Sequence, residues 1–244
     1  MRYIDAHCHI DLYDDPADEL ARAASADVGI VAVTNAPFVY DACCKLGSGQ
    51  PNVWPAVGLH PELATQYAHQ VDDLIRCLET TRFVGEVGLD YRVTDPATHN
   101  TQRDVFGRVL QACDERGDAL LTIHSRGAEA DVVSMLGSGF RGTPILHWYS
   151  GAIKHLEAAQ ANGCYFSVNS SMLASKNGRK LVARMDRARV VTESDGPFAK
   201  VTGKRARPGD IPLAVQALAV LWGSDSEAVR SAILKNWESI FRSG

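Results

Sequence analysis

Eight short runs rich in β-branched and aromatic residues alternate with helical patterns along this chain, and no break in composition interrupts the series. The runs are Tyr3 to His7, Val28 to Thr34, Val53 to Val57, Phe83 to Val87, Ala119 to Ile123, Pro144 to His147, Cys164 to Val168 and Val190 to Thr192. They are apolar on both faces, the pattern of parallel strands covered by helices. Eight strand–helix units in 244 residues match the size of a closed barrel. The expected fold is α/β, a single (β/α)8 TIM barrel with residues 1–244 as one domain. An open doubly wound sheet is the rival. It is disfavoured by the residues at the strand ends, which a closed barrel gathers on one rim and an open sheet spreads along a line.

The helical segments carry their own start signals. Asp15-Pro16 and Asp95-Pro96 each offer a capping Asp followed by Pro at the first helical position, and His60-Pro61-Glu62 opens another helix. From Gln102 to Arg116, the residues Val105, Phe106, Val109, Leu110 and Cys113 fall on one stripe, as on a helix lying against a sheet. The stretch Lys200 to Pro212, rich in Gly, Lys, Arg and Pro, reads as the loop after the eighth strand.

The first strand ends in His7 and His9, and residues i and i+2 of a strand share a face, so both imidazoles can address one cation. Chance alone supplies roughly 0.3 such pairs in a chain of this histidine content. The pair gains meaning from Glu86, His124, His147 and Asp195, each of which follows another apolar run. A lone strand-end His is more often a hydrogen-bonded core residue, and a lone Asp more often a helix cap. Six together, at the strand ends where barrel chemistry occurs, point to one site. Four His and two carboxylates form a donor set for two divalent metal ions (Mg²⁺, Mn²⁺ or Zn²⁺) roughly 3.5 to 4 Å apart.

Composition narrows the setting. The cysteines Cys8, Cys43, Cys44, Cys77, Cys113 and Cys164 show no C-x-x-C or zinc-finger spacing and no secretory leader precedes them, so mostly buried thiols in a cytoplasmic protein are expected. No apolar run approaches the ~20 residues needed to span a bilayer. A net charge of −4 disfavours indiscriminate nucleic-acid binding, although two divalent cations would nearly neutralise a local cluster of carboxylates.

Several motifs, in order and over nearly the whole chain, resemble those of the TatD-type metal-dependent deoxyribonucleases, which are amidohydrolase-like barrels. They are Asp5-Ala6-His7-Cys8-His9, Val57-Gly58-Leu59-His60-Pro61-Glu62, Gly85-Glu86-Val87-Gly88-Leu89-Asp90-Tyr91, Gln102-Arg103 to Phe106, Ile123-His124-Ser125-Arg126, Leu146-His147-Trp148-Tyr149-Ser150-Gly151, Thr192-Glu193-Ser194-Asp195-Gly196-Pro197-Phe198 and Asn236 to Phe241. The resemblance implies a barrel of the metal-dependent hydrolase type. It makes His7, His9 and Asp195 ligands of one metal, Glu86 the bridge, and His124 and His147 ligands of the other. Glu86 stands where many hydrolases of the superfamily carry a Lys, which implies phosphodiester chemistry. Asp195 is then the general base as well as a ligand, with Glu86 the other catalytic residue. His60, Arg126, Trp148 and Glu193 at the rim are expected to contact substrate, as are Lys204, Arg205 and Arg207 in the loop after strand eight. At least one of Trp148, Tyr149 and Phe198 is expected to stack on a base.

There are departures. Trp148-Tyr149 replaces the Cys-Phe of many relatives, and the run from Ala199 to Pro208 lacks their proline-rich pattern. With Asn169 to Arg179, these features resemble the branch encoded in four-gene Qat anti-phage systems, which implies an antiviral role and the other subunits of that system as partners. The expected activity is hydrolysis of DNA, at single strands or 3′ ends, since a closed-bottom barrel accepts a strand end more readily than an uninterrupted duplex. Deacylation of aminoacyl-tRNA by the same metals is an alternative. A third is a defence-complex subunit with little catalysis, against which the full set of six ligands speaks.

Overall fold

The computed structural model describes residues 1–92 and 95–242. Eight parallel strands follow the expected runs: β1 (Tyr3–Cys8), β2 (Val28–Val33), β3 (Val53–Ala56), β4 (Phe83–Gly88), β5 (Leu120–His124), β6 (Thr143–His147), β7 (Tyr165–Val168) and β8 (Val190–Thr192). Ladders join β1, β2 and β3, and then β4 through β8. The two sheets meet where Val57 pairs with Val84, with Gly85 N–H donating to Val57 O at 2.9 Å. On the far side Asp195 N–H donates to His7 O at 3.0 Å and the Thr192 hydroxyl to Ile4 O at 2.5 Å, which brings the end of β8 against β1. Each junction is a few bonds and not a full ladder.

Helices wrap this ring. Asp95 caps the long helix Pro96–Arg116 by accepting from Ala97 and Thr98 N–H, and Gly117, at φ 84°, ends it. The expected stripe is buried, and Gln102 is buried within it. Both ends of its amide are engaged: Oε1 accepts from Asp90 N–H at 2.9 Å and Nε2 donates to Pro61 O at 3.1 Å. A buried polar residue thus ties the loop after β3 to the loop after β4. At the N-terminal ends of β3 and β4, Trp54 and Phe83 pack against Trp237 and Phe241 of the helix Ser226–Arg242. These rings plug the bottom of the barrel, so the strands' C-terminal ends form its open face.

Two expectations need correction. His60-Pro61-Glu62 opens a 3-10 turn, Pro61–Leu63, before the short helix Ala64–Tyr67. The stretch after β8 is not simply a loop: β9 (Lys200–Val201) and β10 (Lys204–Arg205) form an antiparallel hairpin. Its two central residues, Thr202 and Gly203, both have positive φ, 50° and 81°, the geometry a two-residue turn needs to match strand twist. Thr-Gly is a weaker turn signal than Asn-Gly, and strands of two residues leave no periodicity to read. The cysteines are free; Cys8, Cys43, Cys113 and Cys164 are buried, whereas Cys44 and Cys77 are partly exposed. Among the described residues no helix is long and apolar enough to cross a membrane.

Candidate metal centre

The open face holds a cavity of about 560 Å³ lined by the ends of β1, β4, β5 and β6 and the loops around them. Glu86 is its hub. Its Oε2 lies 3.2 Å from His9 Nε2 and 3.5 Å from His7 Nε2, whereas its Oε1 lies 2.7 Å from His124 Nδ1 and 2.8 Å from His147 Nε2. Asp195 Oδ1 is 3.7 Å from both His7 Nε2 and His9 Nε2. One carboxylate therefore faces two imidazole pairs with its two oxygens. Close backbone approach makes this possible. A Cβ on Gly58 would collide with Thr34 O and Glu86 N, and one on Gly88 would collide with His124 O.

The loops that carry Asp195 and Trp148 are held in left-handed backbone, φ 45° and 36°, an unusual region for residues with side chains. Asp195 is secured there by its own N–H bond to His7 O and by its carbonyl, which accepts from Phe198 and Ala199 N–H. Buried Asp5 accepts from Ser194 N–H at 2.8 Å and from His7 N–H at 3.3 Å, joining the two ligand-bearing segments. Burial pushes the Asp5 carboxyl up to about 7.

The donor set fits divalent cations. His7 Nδ1 pairs with the Thr122 hydroxyl at 2.5 Å, which turns Nε2 toward His9 Nε2, 3.2 Å away. His147 Nε2 and His124 Nδ1 face each other at 3.3 Å. Ring nitrogens turned toward one another among carboxylate oxygens are what a cation satisfies. His7, His9 and Asp195 can hold one ion; His60, Glu86 and His124 offer donor atoms for another. Electrostatics separates the two sides. Burial and the positive charge of His147 hold His7 well below the ordinary imidazole range. Against burial, Asp90 and Glu86 push His124 up to about 9, and Glu86 and Glu193 hold His147 well above its ordinary value. His60 and His147, overcoming burial, hold Glu86 well below the usual carboxylate range. Burial raises Asp195, helped by Glu193 and Glu86.

The structure brings His7, His9, Glu86, His124, His147 and Asp195 together, as their strand-end positions predict. His60, Arg126, Trp148 and Phe198 line the cavity with them. Tyr149 does not: it is buried, and its hydroxyl donates to Ala152 O at 2.7 Å. Glu193 is also misplaced by the rim reading. It is buried beneath the site, where its carboxylate accepts from Asn169 Nδ2 at 2.8 Å, from Trp148 N–H at 3.2 Å and from the Ser167 hydroxyl. Lys204, Arg205 and Arg207 stand outside the cavity lining. Lys204 and Arg205 are exposed on the hairpin, Arg205 lying 3.9 Å from Asp14, and Arg207 reaches the buried carboxylate of Glu19 at 3.3 Å. Missed altogether was Asp90, whose Oδ2 holds His124 Nε2 at 2.8 Å and whose Oδ1 accepts from Arg92 N–H at 2.8 Å. Its place four residues beyond Glu86 was the available signal.

A parallel barrel with histidines and carboxylates gathered at its open end defines a metal-dependent hydrolase. The chain belongs to the TatD-related DNase family, whose model matches residues 4–242. It is 29% identical over 261 residues to a mouse protein named putative deoxyribonuclease TATDN3, spanning 98% of this chain and 87% of that one. It is 24% identical over 243 residues to the Salmonella typhimurium 3′-5′ ssDNA/RNA exonuclease TatD, spanning 93% of each. The crystal structure of the TatD homologue YjjV from Escherichia coli superimposes with a TM-score of 0.87 at 24% identity, over 98% of this chain and 97% of that one, a likeness of fold.

Proposed function

We propose that the protein holds two divalent cations and hydrolyses phosphodiesters at the 3′ end of single-stranded DNA. The observation that carries this reading is Glu86, which directs Oε2 toward His7 and His9 and Oε1 toward His124 and His147. Bound there, a cation pair would polarise the phosphodiester and acidify the attacking water. The rest falls to the chain. Asp195, whose Oδ1 lies 3.7 Å from both His7 Nε2 and His9 Nε2, is placed to take the proton from that water. His60, whose Nε2 lies 3.5 Å from Glu86 Oε1 on the cavity wall, stands beside the second cation position and within reach of a phosphate oxygen held there. Arg126, on the cavity wall and without an ion pair among the described residues, suits an adjacent phosphate. Phe198, 57% exposed and edge-on to His9 at 5.0 Å, and Trp148 offer ring faces to bases.

Support for an end over an uninterrupted duplex comes from the plugged barrel bottom and from the size of the cavity, about 560 Å³. The named activity of the Salmonella relative points the same way. The exposed cations Lys204 and Arg205, on the hairpin after β8, would meet phosphates further along the strand; the setting we propose is the cytoplasm, which free cysteines suit, and a defence complex, to whose members the loop sequences are similar. The test offers 3′-labelled and 5′-labelled single-stranded DNA, duplex DNA and charged tRNA with Mg²⁺, Mn²⁺ or Zn²⁺. Release of the 3′ label at the first cleavage and stepwise shortening of the 5′-labelled single strand are expected. Deacylation of tRNA with DNA left intact would overturn the reading.

A further inference from the structure

Glu193 is buried, charged and connected to both functions of the cavity. Its Oε1 accepts from Trp148 N–H at 3.2 Å, which braces a residue held at φ 36° in the cavity wall. Its Oε2 lies 3.7 Å from His147 Nδ1, a buried nitrogen with no hydrogen-bond partner of its own. A shift of about 0.8 Å brings that pair to the usual N–H···O separation. Ser167 and Asn169 on the next strand and loop hold the carboxylate in place. We infer that Glu193 is a positioning residue that fixes the tautomer of His147 and the backbone of Trp148 at once. A carboxylate can only accept, so beside it His147 keeps its proton on Nδ1, and Nε2, 2.8 Å from Glu86 Oε1, is the nitrogen that a cation would free of its proton. The assignment rests on the two-cation reading above.

The two roles separate by substitution. In Glu193→Gln the amide oxygen can still accept from Trp148 and Asn169, and the Ser167 hydroxyl can rotate to accept from the amide NH₂. Toward His147, however, the NH₂ group now donates, which draws the proton to Nε2 and removes the lone pair a cation needs. Glu193→Ala loses both roles. Mn²⁺ affinity is measured by calorimetry, KM for single-stranded DNA at saturating Mn²⁺, and the His147 tautomer by ¹⁵N NMR. We expect Glu193→Gln to weaken one cation ~10- to 100-fold, to move the His147 proton to Nε2 and to leave KM within about twofold of wild type. Glu193→Ala should weaken the cation and raise KM together. If both variants merely melt earlier, with unchanged cation affinity and tautomer, Glu193 is only a packing residue and the inference fails. If the wild type binds no second cation, the fault lies in the two-cation reading instead.

Discussion

The two sides of Glu86 are built differently. Beside Oε2, His7 is fully buried, is anchored through a neutral Thr122 hydroxyl and is kept uncharged by its surroundings. Beside Oε1, His124 and His147 are backed by carboxylates, Asp90 and Glu193, and both are pushed toward the protonated state. A neutral anchor makes a ligand that is ready before the cation arrives. An anionic anchor makes a more basic ligand, from which a cation must first displace a proton. On the first side the buried His7 is ready without losing a proton and only the raised Asp195 carboxyl must give one up, whereas on the second side two imidazoles must, so the second side is the more pH-dependent of the two.

The largest effect should come from the residue at the first side that also acts on the proton. Asp195→Asn should keep most of the bound metal and lose ~10³-fold or more in turnover, read under single-turnover conditions. Wild-type turnover in that variant would remove Asp195 from the chemistry. Next, Asp90→Asn should lower affinity for one cation of the pair ~10- to 100-fold while leaving the other unchanged, by calorimetry. Equal loss at both sites would mean that the sides are not independent.

The pH dependence follows in size. Because His124 titrates at about 9, the second cation should bind more tightly as pH rises from 6.5 toward 9, by about tenfold per unit for each proton released. Stability runs the opposite way in chelator-treated protein. A histidine raised from 6.5 to about 9 stabilises the fold below 6.5 and loses that contribution as pH climbs through 9, on the order of 3 kcal/mol. Melting temperatures between pH 6 and 9 would reveal a fall, and a rise would contradict the assigned protonation.

Smaller effects separate ring from ring and cation from cation around the same mouth. Phe198→Ala should cost about 1 to 3 kcal/mol of DNA binding, read as KM, with little change in melting. Tyr149→Phe should instead lose about 1 kcal/mol of stability, the bond to Ala152 O, with KM unchanged. The smallest signal belongs to the hairpin. Lys204→Ala with Arg205→Ala should flatten the slope of log affinity against log salt by up to about 1.4, at ~0.7 per phosphate. Arg207→Ala should show up in melting, since it leaves the buried Glu19 carboxylate without its partner.

The same contrast marks what was legible in the sequence. Strands announce themselves by apolar runs, and the ligands lie at fixed places relative to those runs, so β1 to β8 and the six donors could be read together. What escaped depends on which way a side chain turns beyond the strand. Glu193 looks like a rim residue by position, yet Ser167, Asn169 and the Trp148 N–H draw it under the site. Asp90 lies past the end of β4, where no periodicity marks it, and is held facing His124 by its own N–H, which donates to Gln102 on the helix that follows. Arg207 belongs to a charge run, and only the packed fold reveals that its partner is Glu19.

A two-cation centre requires Glu86 to serve both sides. Titration of Mn²⁺ into the wild type and into Glu86→Gln, followed by equilibrium dialysis at pH 8 with electron paramagnetic resonance of the bound ions, tests this directly. Two ions per chain with the spectrum of a coupled pair are expected in the wild type. In Glu86→Gln the coupling should vanish and at most one ion should remain, on the His7, His9 and Asp195 side. Two magnetically isolated ions in the wild type, or an unchanged coupled pair in Glu86→Gln, would contradict it.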